Sequence, residues 1–357
     1  MVYIVGKATV WLDASTAKRA LLAATFSKLL RERGYDTVIT ARSYDYIIKV
    51  LELLGEPYVV TGVYGGETLR GKLLADIGRI LDLNVVIEDF KPKVLISYPS
   101  PPAVRVAFGY RIPYIALGDT PHGEAMNRLS YPLAKVAVFS EFIVNEMEKF
   151  ILKGFTIIET FRGVDELTYI KPYTPSPENV KSLGLNPYSY VVLRPEEFKA
   201  HYYKPIEYSM VLKIAETLLT LGIRPVIIPR YREHAVKAKS IEGAYILEKP
   251  FVGLDLEYYS LAVVTGGISM AREAALLGVP GISLFTEVIS IDRALASLGL
   301  PIYYVRSYDE AVYLLREIVR DPDKFRVKTK GIIDKLETPW PIVSKWVDRL
   351  VEESSIE

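Results

Sequence analysis

The 357-residue chain contains no cysteine. That removes disulfides, thiolate nucleophiles and cysteine-held metal centres together. Histidine is almost as scarce, with three residues in the whole chain, too few for a zinc cluster. Glutamine is absent and asparagine sparse while Glu, Lys and Arg abound, a bias of proteins from very hot environments that bears on habitat and not on chemistry. Nor is there a charge excess. Lys plus Arg number 44 against 43 Asp plus Glu, so no overall field draws the protein onto nucleic acid or an anionic membrane, and phosphate recognition has to be local. No apolar run approaches the ~20 residues of a spanning helix, and no basic stretch followed by an apolar core stands near the start. A cytoplasmic location is expected, with peripheral contact at the inner face of the membrane left open. Oligomeric state is not legible.

What is present is the composition of a globular protein, with 50% hydrophobic and 24% charged residues. The length fits two domains. From Thr9 onward, short β-rich runs at 9–12, 37–40, 58–61, 94–97, 114–117 and 136–139 alternate with helical periods at 17–33, 44–54 and 67–89, which predicts βα units and a parallel sheet. The Pro-, Ser-, Tyr- and Asn-rich stretch 171–188 interrupts this as a linker would. The alternation restarts with strands at 190–193, 225–228, 244–247, 261–264 and 281–285. The expected fold class is α/β, with two Rossmann-like doubly wound domains facing a cleft: 1–170, then 189–337, then a tail at 338–357. The tail carries Ile342, Val343, Trp346, Val347 and Leu350 on one helical face, which predicts its return onto the first domain.

The most informative run is VVTGGISMAREAALLGVP at 263–280. A buried strand ends at Thr265, two glycines turn the chain, and a helix starts near Ser269. In open α/β sheets, ligands bind beyond the carboxyl ends of strands. Gly266 and Gly267 would let a ligand approach the backbone, Ser269 would cap the helix, and its N–H groups would face a pyrophosphate. Glu273 would accept from ribose hydroxyls. The plainer reading is a tight turn followed by a carboxylate complementing the helix dipole. Arg194 and His201 in the run RPEEFKAHYY, and Arg230 after the next strand, are further phosphate candidates; solvated loop charge competes evenly for Arg230. Phe251 and Val252 would run along the base of a nucleotide.

In the first half, the run GDTPHGEAMNR at 118–128 puts Asp119, His122 and Glu124 on one loop, an arrangement suited to acid–base work. Asp13, Ser15 and Ser97 end or follow strands, and Asn127 and Arg128 close the loop run. Thr16 caps the following helix, as Ser15 alternatively could. Gly65-Gly66 is either a second acceptor loop or a hinge.

The glycine run resembles the donor site of GT-B glycosyltransferases and of the non-hydrolysing UDP-N-acetylglucosamine 2-epimerases. The order Trp11-Leu12-Asp13, Gly118-Asp119-Thr120, Asn127-Arg128, Gly163-Val164-Asp165-Glu166, Arg194-Pro195 and Gly266-Gly267 resembles, over nearly the full chain, the family DUF354. Two departures from the epimerases stand out. Ala125 replaces a catalytic carboxylate, and Ser97-Tyr98-Pro99-Ser100 stands where they have a His-Gly-Asp-Thr run.

The resemblance implies a glycosyltransferase that takes a sugar from a nucleotide donor, UDP-linked, to a glycan or lipid-linked acceptor. His122, Asp119 or Glu124 would serve in catalysis; Asp13, Ser15, Ser97, Asn127 and Arg128 would meet the acceptor. No Asp-x-Asp follows a strand, since Asp321-Pro322-Asp323 lies in a late turn. Neither metal nor other cofactor is expected, nor a nucleic-acid partner. A sugar-nucleotide epimerase and a non-catalytic nucleotide-sugar-binding protein are the alternatives.

Overall fold

A computed structural model describes residues 6–44, 46–197, 209–249, 251 and 253–354. The chain divides into two compact units, Met1–Tyr169 with Leu336–Glu357, and Ile170–Lys335.

The first unit is built on seven parallel strands: β1 (Thr9–Ala14), β2 (Asp36–Ser43), β3 (Val59–Val63), β4 (Val94–Ser97), β5 (Tyr114–Gly118), β6 (Val136–Ser140) and β7 (Ile157–Phe161), in the order β3-β2-β1-β4-β5-β6-β7. The second has six: β8 (Tyr190–Arg194), β9 (Arg224–Ile227), β10 (Tyr245–Ile246), β11 (Ala262–Thr265), β12 (Gly281–Ser283) and β13 (Ile302–Tyr304), in the order β10-β9-β8-β11-β12-β13. Both are Rossmann-like. In each sheet the chain runs outward over three strands and returns beside the first, so the order reverses between β1 and β4 and between β8 and β11. Connections leave those neighbours in opposite directions and open a crevice at their carboxyl ends. Register sets Asp13 beside Ser97 there, and Arg194 beside Thr265.

Central strands are covered on both faces by helices, which is why they read as continuous apolar runs: β4, β8 and β11 are buried at every residue. In the second unit Val191, Leu193, Ile214, Leu218, Val264 and Leu315 form one core, each contributing roughly 1.5–3 kcal/mol by leaving water. The edge strand β7 (IIETF) is mostly exposed. The helices start where hydroxyl caps stand: Thr16, Thr68, Ser209 and Ser307 each accept from a backbone N–H three residues on.

One expectation is corrected. The stretch 171–188 is not a linker but part of the second unit: the buried Asp255 carboxylate accepts from the Tyr173 hydroxyl, the Ser176 N–H at 2.8 Å and Asn179 Nδ2, and 177–182 is helical. Strands β7 and β13 were not anticipated, one being half-solvated and the other three residues long. Gly65 and Gly66 answer to backbone needs: a Cβ on Gly65 would lie 2.6 Å from Gly71 O, and Gly66 has φ of 76°. The C-terminal helix, Trp340–Glu353, packs within the first unit through Val343, Trp346, Val347 and Leu350. Trp346 Nε1 donates to Glu159 at 2.9 Å, and Trp340 stacks on Phe26. Among the described residues no helix is long and apolar enough to cross a membrane.

Candidate functional site

Polar side chains gather at the carboxyl edge of each sheet. On the first unit, Asp119 follows β5 and ion-pairs with Lys18 at 2.6 Å; Lys18 also reaches Glu166 at 2.8 Å. Beside them the Tyr98 hydroxyl donates to Asp165 in a very short hydrogen bond. One ammonium thus serves a group of three carboxyls, of which Asp165 and Glu166 are buried. Burial, more than the neighbouring Asp119 and Glu166 charges, pushes Asp165 up to about 7 against the opposing pull of Lys18. A carboxyl that titrates near neutrality can both hold and release a proton at working pH. Among the described residues no three His, Asp or Glu side chains come together as metal ligands.

The expected residues distribute around this group unevenly. Asp13 is buried: its Oδ1 accepts from Arg79 Nη2 and from Thr40 Oγ1, each at 2.6 Å, and Thr40 accepts from Trp11 Nε1. That is a structural arrangement, made before any ligand arrives. Ser15 Oγ accepts from Arg19 at 2.6 Å, while the Ser97 hydroxyl donates to the Tyr98 carbonyl. His122 is half-buried on the loop after Asp119, and Asn127 Nδ2 pins that loop through Thr120 O at 2.9 Å. Glu124 and Arg128 pair with each other at 2.7 Å on an exposed helical turn, outside the buried group.

On the second unit, Arg194 at the end of β8 donates to the carbonyls of Ile228 and Pro229. Arg230 reaches Pro195 O and ion-pairs with Glu197 at 3.2 Å. The two glycines differ. A Cβ on Gly266 would lie 2.3 Å from Glu196 Cα, so the close approach there is made by the chain itself and not by a ligand. A Cβ on Gly267 would meet only Thr265 Oγ1 at 3.7 Å and Arg230 Nη2 at 3.8 Å, leaving room beside a guanidinium at the start of helix Ser269–Leu276. Ser269 is the first helical residue and not the cap, which is Ile268 without a side-chain bond. Glu273 is buried near Glu257, whose carboxyl is raised well above its ordinary range by burial first and then by Glu273. His234 is pushed down to about 4 by burial and by Arg230 and Arg194, so it is neutral at pH 7. Phe251 is partly exposed. His201 and Val252 lie outside the described residues.

Sequence reasoning missed Lys18, Tyr98, Glu257 and His234, and gave Asp165 and Glu166 no role. The last two had a signal. They follow β7, so recognising that strand would have put them at a carboxyl edge. Lys18 and Tyr98 carry no local mark, because their meaning comes from long-range neighbours.

The sequence profile described as "Protein of unknown function (DUF354)" matches residues 8–351. An uncharacterised protein of Methanocaldococcus jannaschii is 27% identical over 343 residues, covering 92% of this chain and 95% of that protein. Among solved structures, the UDP-GlcNAc 2-epimerase of Neisseria meningitidis, bound to UDP-GlcNAc, superposes with TM-score 0.64 at 16% identity, over 90% of this chain and 95% of its own. The M. jannaschii UDP-GlcNAc 2-epimerase, in complex with UDP-GlcNAc and UDP, gives 0.62 at 14% identity, over 90% and 97%. A spinosyn forosaminyltransferase gives 0.61 at 14% identity, over 97% and 99%. At these identities the likeness is one of fold, two Rossmann-like domains of the GT-B kind. The profile, in contrast, spans almost every described residue, and the chain belongs to the DUF354 family.

Proposed function

We propose that the protein is a glycosyltransferase whose second unit binds the diphosphate of a UDP-linked sugar. The observation that carries this reading is the open face of Gly267. It lies next to the Arg230 guanidinium at the start of helix Ser269–Leu276, where free N–H groups and the helix dipole favour an anion. Arg230 would neutralise the departing diphosphate, the main electrostatic task of such a transfer. Arg194 is already engaged by two carbonyls and holds the β8 edge in place. Glu273 would accept from the ribose. For the proton that leaves the acceptor hydroxyl, Asp119 and Asp165 are the candidate bases, with Lys18 and Tyr98 as their positioning partners.

The group Asp119, Asp165 and Glu166 favours one second reading, a sugar-nucleotide epimerase. It supplies carboxyls from positions other than the two in which this chain departs from the epimerases. Incubation with a panel of nucleotide sugars, without acceptor, separates the two. Thermal stabilisation by UDP-sugars with no conversion is expected for a transferase. Conversion to an epimer would replace that reading with the second, and no response to any nucleotide would sink both.

A further inference from the structure

Helix Ala17–Glu32 is charged against its own dipole. A helix N-terminus disfavours cations, yet the first turn has no acidic residue and carries Lys18 and Arg19. Lys18 is accounted for by Asp119 and Glu166. Arg19 is not: its Nη1 donates to Ser15 Oγ at 2.6 Å and Pro99 O at 3.3 Å, both neutral acceptors, and its guanidinium lies over the Tyr98 ring at 4.8 Å. A second guanidinium comes from β2. Arg42 Nε donates to Ser15 O at 3.1 Å and the group stacks over Tyr44 at 4.9 Å, the Tyr44 ring being itself stacked on Tyr64. Its remaining N–H groups have no acceptor among the described residues.

A third guanidinium, Arg79, stands near enough that it and Arg19 help to lower the pKa of Arg42, after burial as the main cause. The carboxylates acting on Arg42 and Arg79 are Asp13 and Asp76. Asp13 is taken by Arg79 and Thr40. Asp76 is half-buried, its carboxyl raised by burial against the pull of Arg79 and Arg42, and it makes no ion pair among the described residues. Arg42 and Arg79 thus share two carboxylates, one of them already taken, and Arg19 adds a fixed positive charge whose own hydrogen bonds go to neutral acceptors, beside a helix N-terminus and at the crevice between β1 and β4. Arginines spend desolvation energy to be held this way, and an incoming anion recovers it through forked, charge-assisted bonds.

The geometry points to an anion site on the first unit, in which Arg19 and Arg42, with the N-terminus of helix Ala17–Glu32, hold a phosphate or carboxylate borne by the acceptor. The acceptor is thus an acidic one, an assignment that rests on the transferase reading. The other source of the same chemistry is the diphosphate of the donor.

Calorimetric titration of the full chain with inorganic phosphate, glucuronate and neutral glucose, with and without saturating UDP, tests it. With saturating UDP filling the second unit, phosphate and glucuronate should still bind and glucose should not. With UDP present, Arg42→Met and Arg19→Met should each weaken anion binding about tenfold or more, whereas Arg105→Met, exposed on the same unit, should leave it within about twofold. Arg42→Lys keeps the charge and loses the fork; it covers the case in which Arg42→Met does not fold, and should also bind more weakly. Anion binding untouched by substitution of either arginine overturns the site. Loss of the Arg42-dependent anion binding under saturating UDP overturns its assignment to the acceptor. If UDP fails to bind while Arg42-dependent anion binding persists, the site stands and the transferase reading falls with the acceptor.

Discussion

Replacing Arg79 by methionine isolates the buried charge that holds the first unit's crevice in place. The Arg79 side chain is 5% exposed and the Asp13 side chain fully buried, with 2.6 Å between them. Methionine fills much of the volume but leaves Asp13 with only Thr40 as a donor, and leaves Thr61 O without the bond from Arg79 Nε. Removing one partner of a buried ion pair costs about 3–5 kcal/mol. Asp13→Asn combined with Arg79→Met should recover at least about 2 kcal/mol of that loss, since no uncompensated charge then remains. Urea unfolding followed by tryptophan fluorescence is the assay. All three tryptophans, Trp11, Trp340 and Trp346, belong to the first unit, and Trp11 is bonded into this network through Thr40. A loss below about 1 kcal/mol would refute the argument that Asp13 is a structural charge.

The two neighbouring glycines should separate packing from binding. Gly266→Ala drives a Cβ into the Glu196 backbone and should cost about 1–3 kcal/mol in denaturant unfolding. Gly267→Ala should leave stability nearly unchanged while weakening UDP binding measured by calorimetry; equal effects of both on stability would count against the open face. Asp165, raised to about 7 by burial, keeps its proton in the folded chain over a range where the unfolded chain has lost it. Its contribution is full below about pH 4 and lost as pH rises through about 7. Asp165→Asn should therefore flatten the fall in melting temperature between pH 5 and 8, and an unchanged profile would show that Asp165 does not titrate there. Glu257→Gln should stabilise the second unit at pH 8 relative to pH 5, because burial and Glu273 disfavour its ionised form; a melting profile parallel to that of the unaltered chain would refute this.

Strand positions were legible because central parallel strands are covered on both faces and so leave unbroken apolar runs: 94–97 coincides with β4 residue for residue, and 190–193 falls one short of β8. Where that physics weakens, so does the signal. β7 mixes Glu159 into an exposed edge, and β13 is too short to show a period. The stretch 171–188 has the composition of a linker because prolines and asparagines fit irregular backbone, but composition does not register that a single buried carboxylate, Asp255, gathers three donors from it.

The site was legible at the level of motif and not of role. Gly266 and Gly267 look alike in sequence, yet one is required by the chain's own backbone and the other opens onto a guanidinium. Asp13 has the look of a ligand-facing acid at a strand end, and the structure gives it to Arg79, 66 positions away. The same distance in sequence hides the surplus of positive charge. Arg19, Arg42 and Arg79 are unremarkable in three separate segments, and only the parallel order β2-β1-β4 brings them around one helix terminus. Near-zero net charge, read from composition, required phosphate recognition to be local. The proposed anion site has that character: in a balanced chain, Arg19 and Arg42 stand with neutral acceptors at a crevice edge where a single anion would complete the charge.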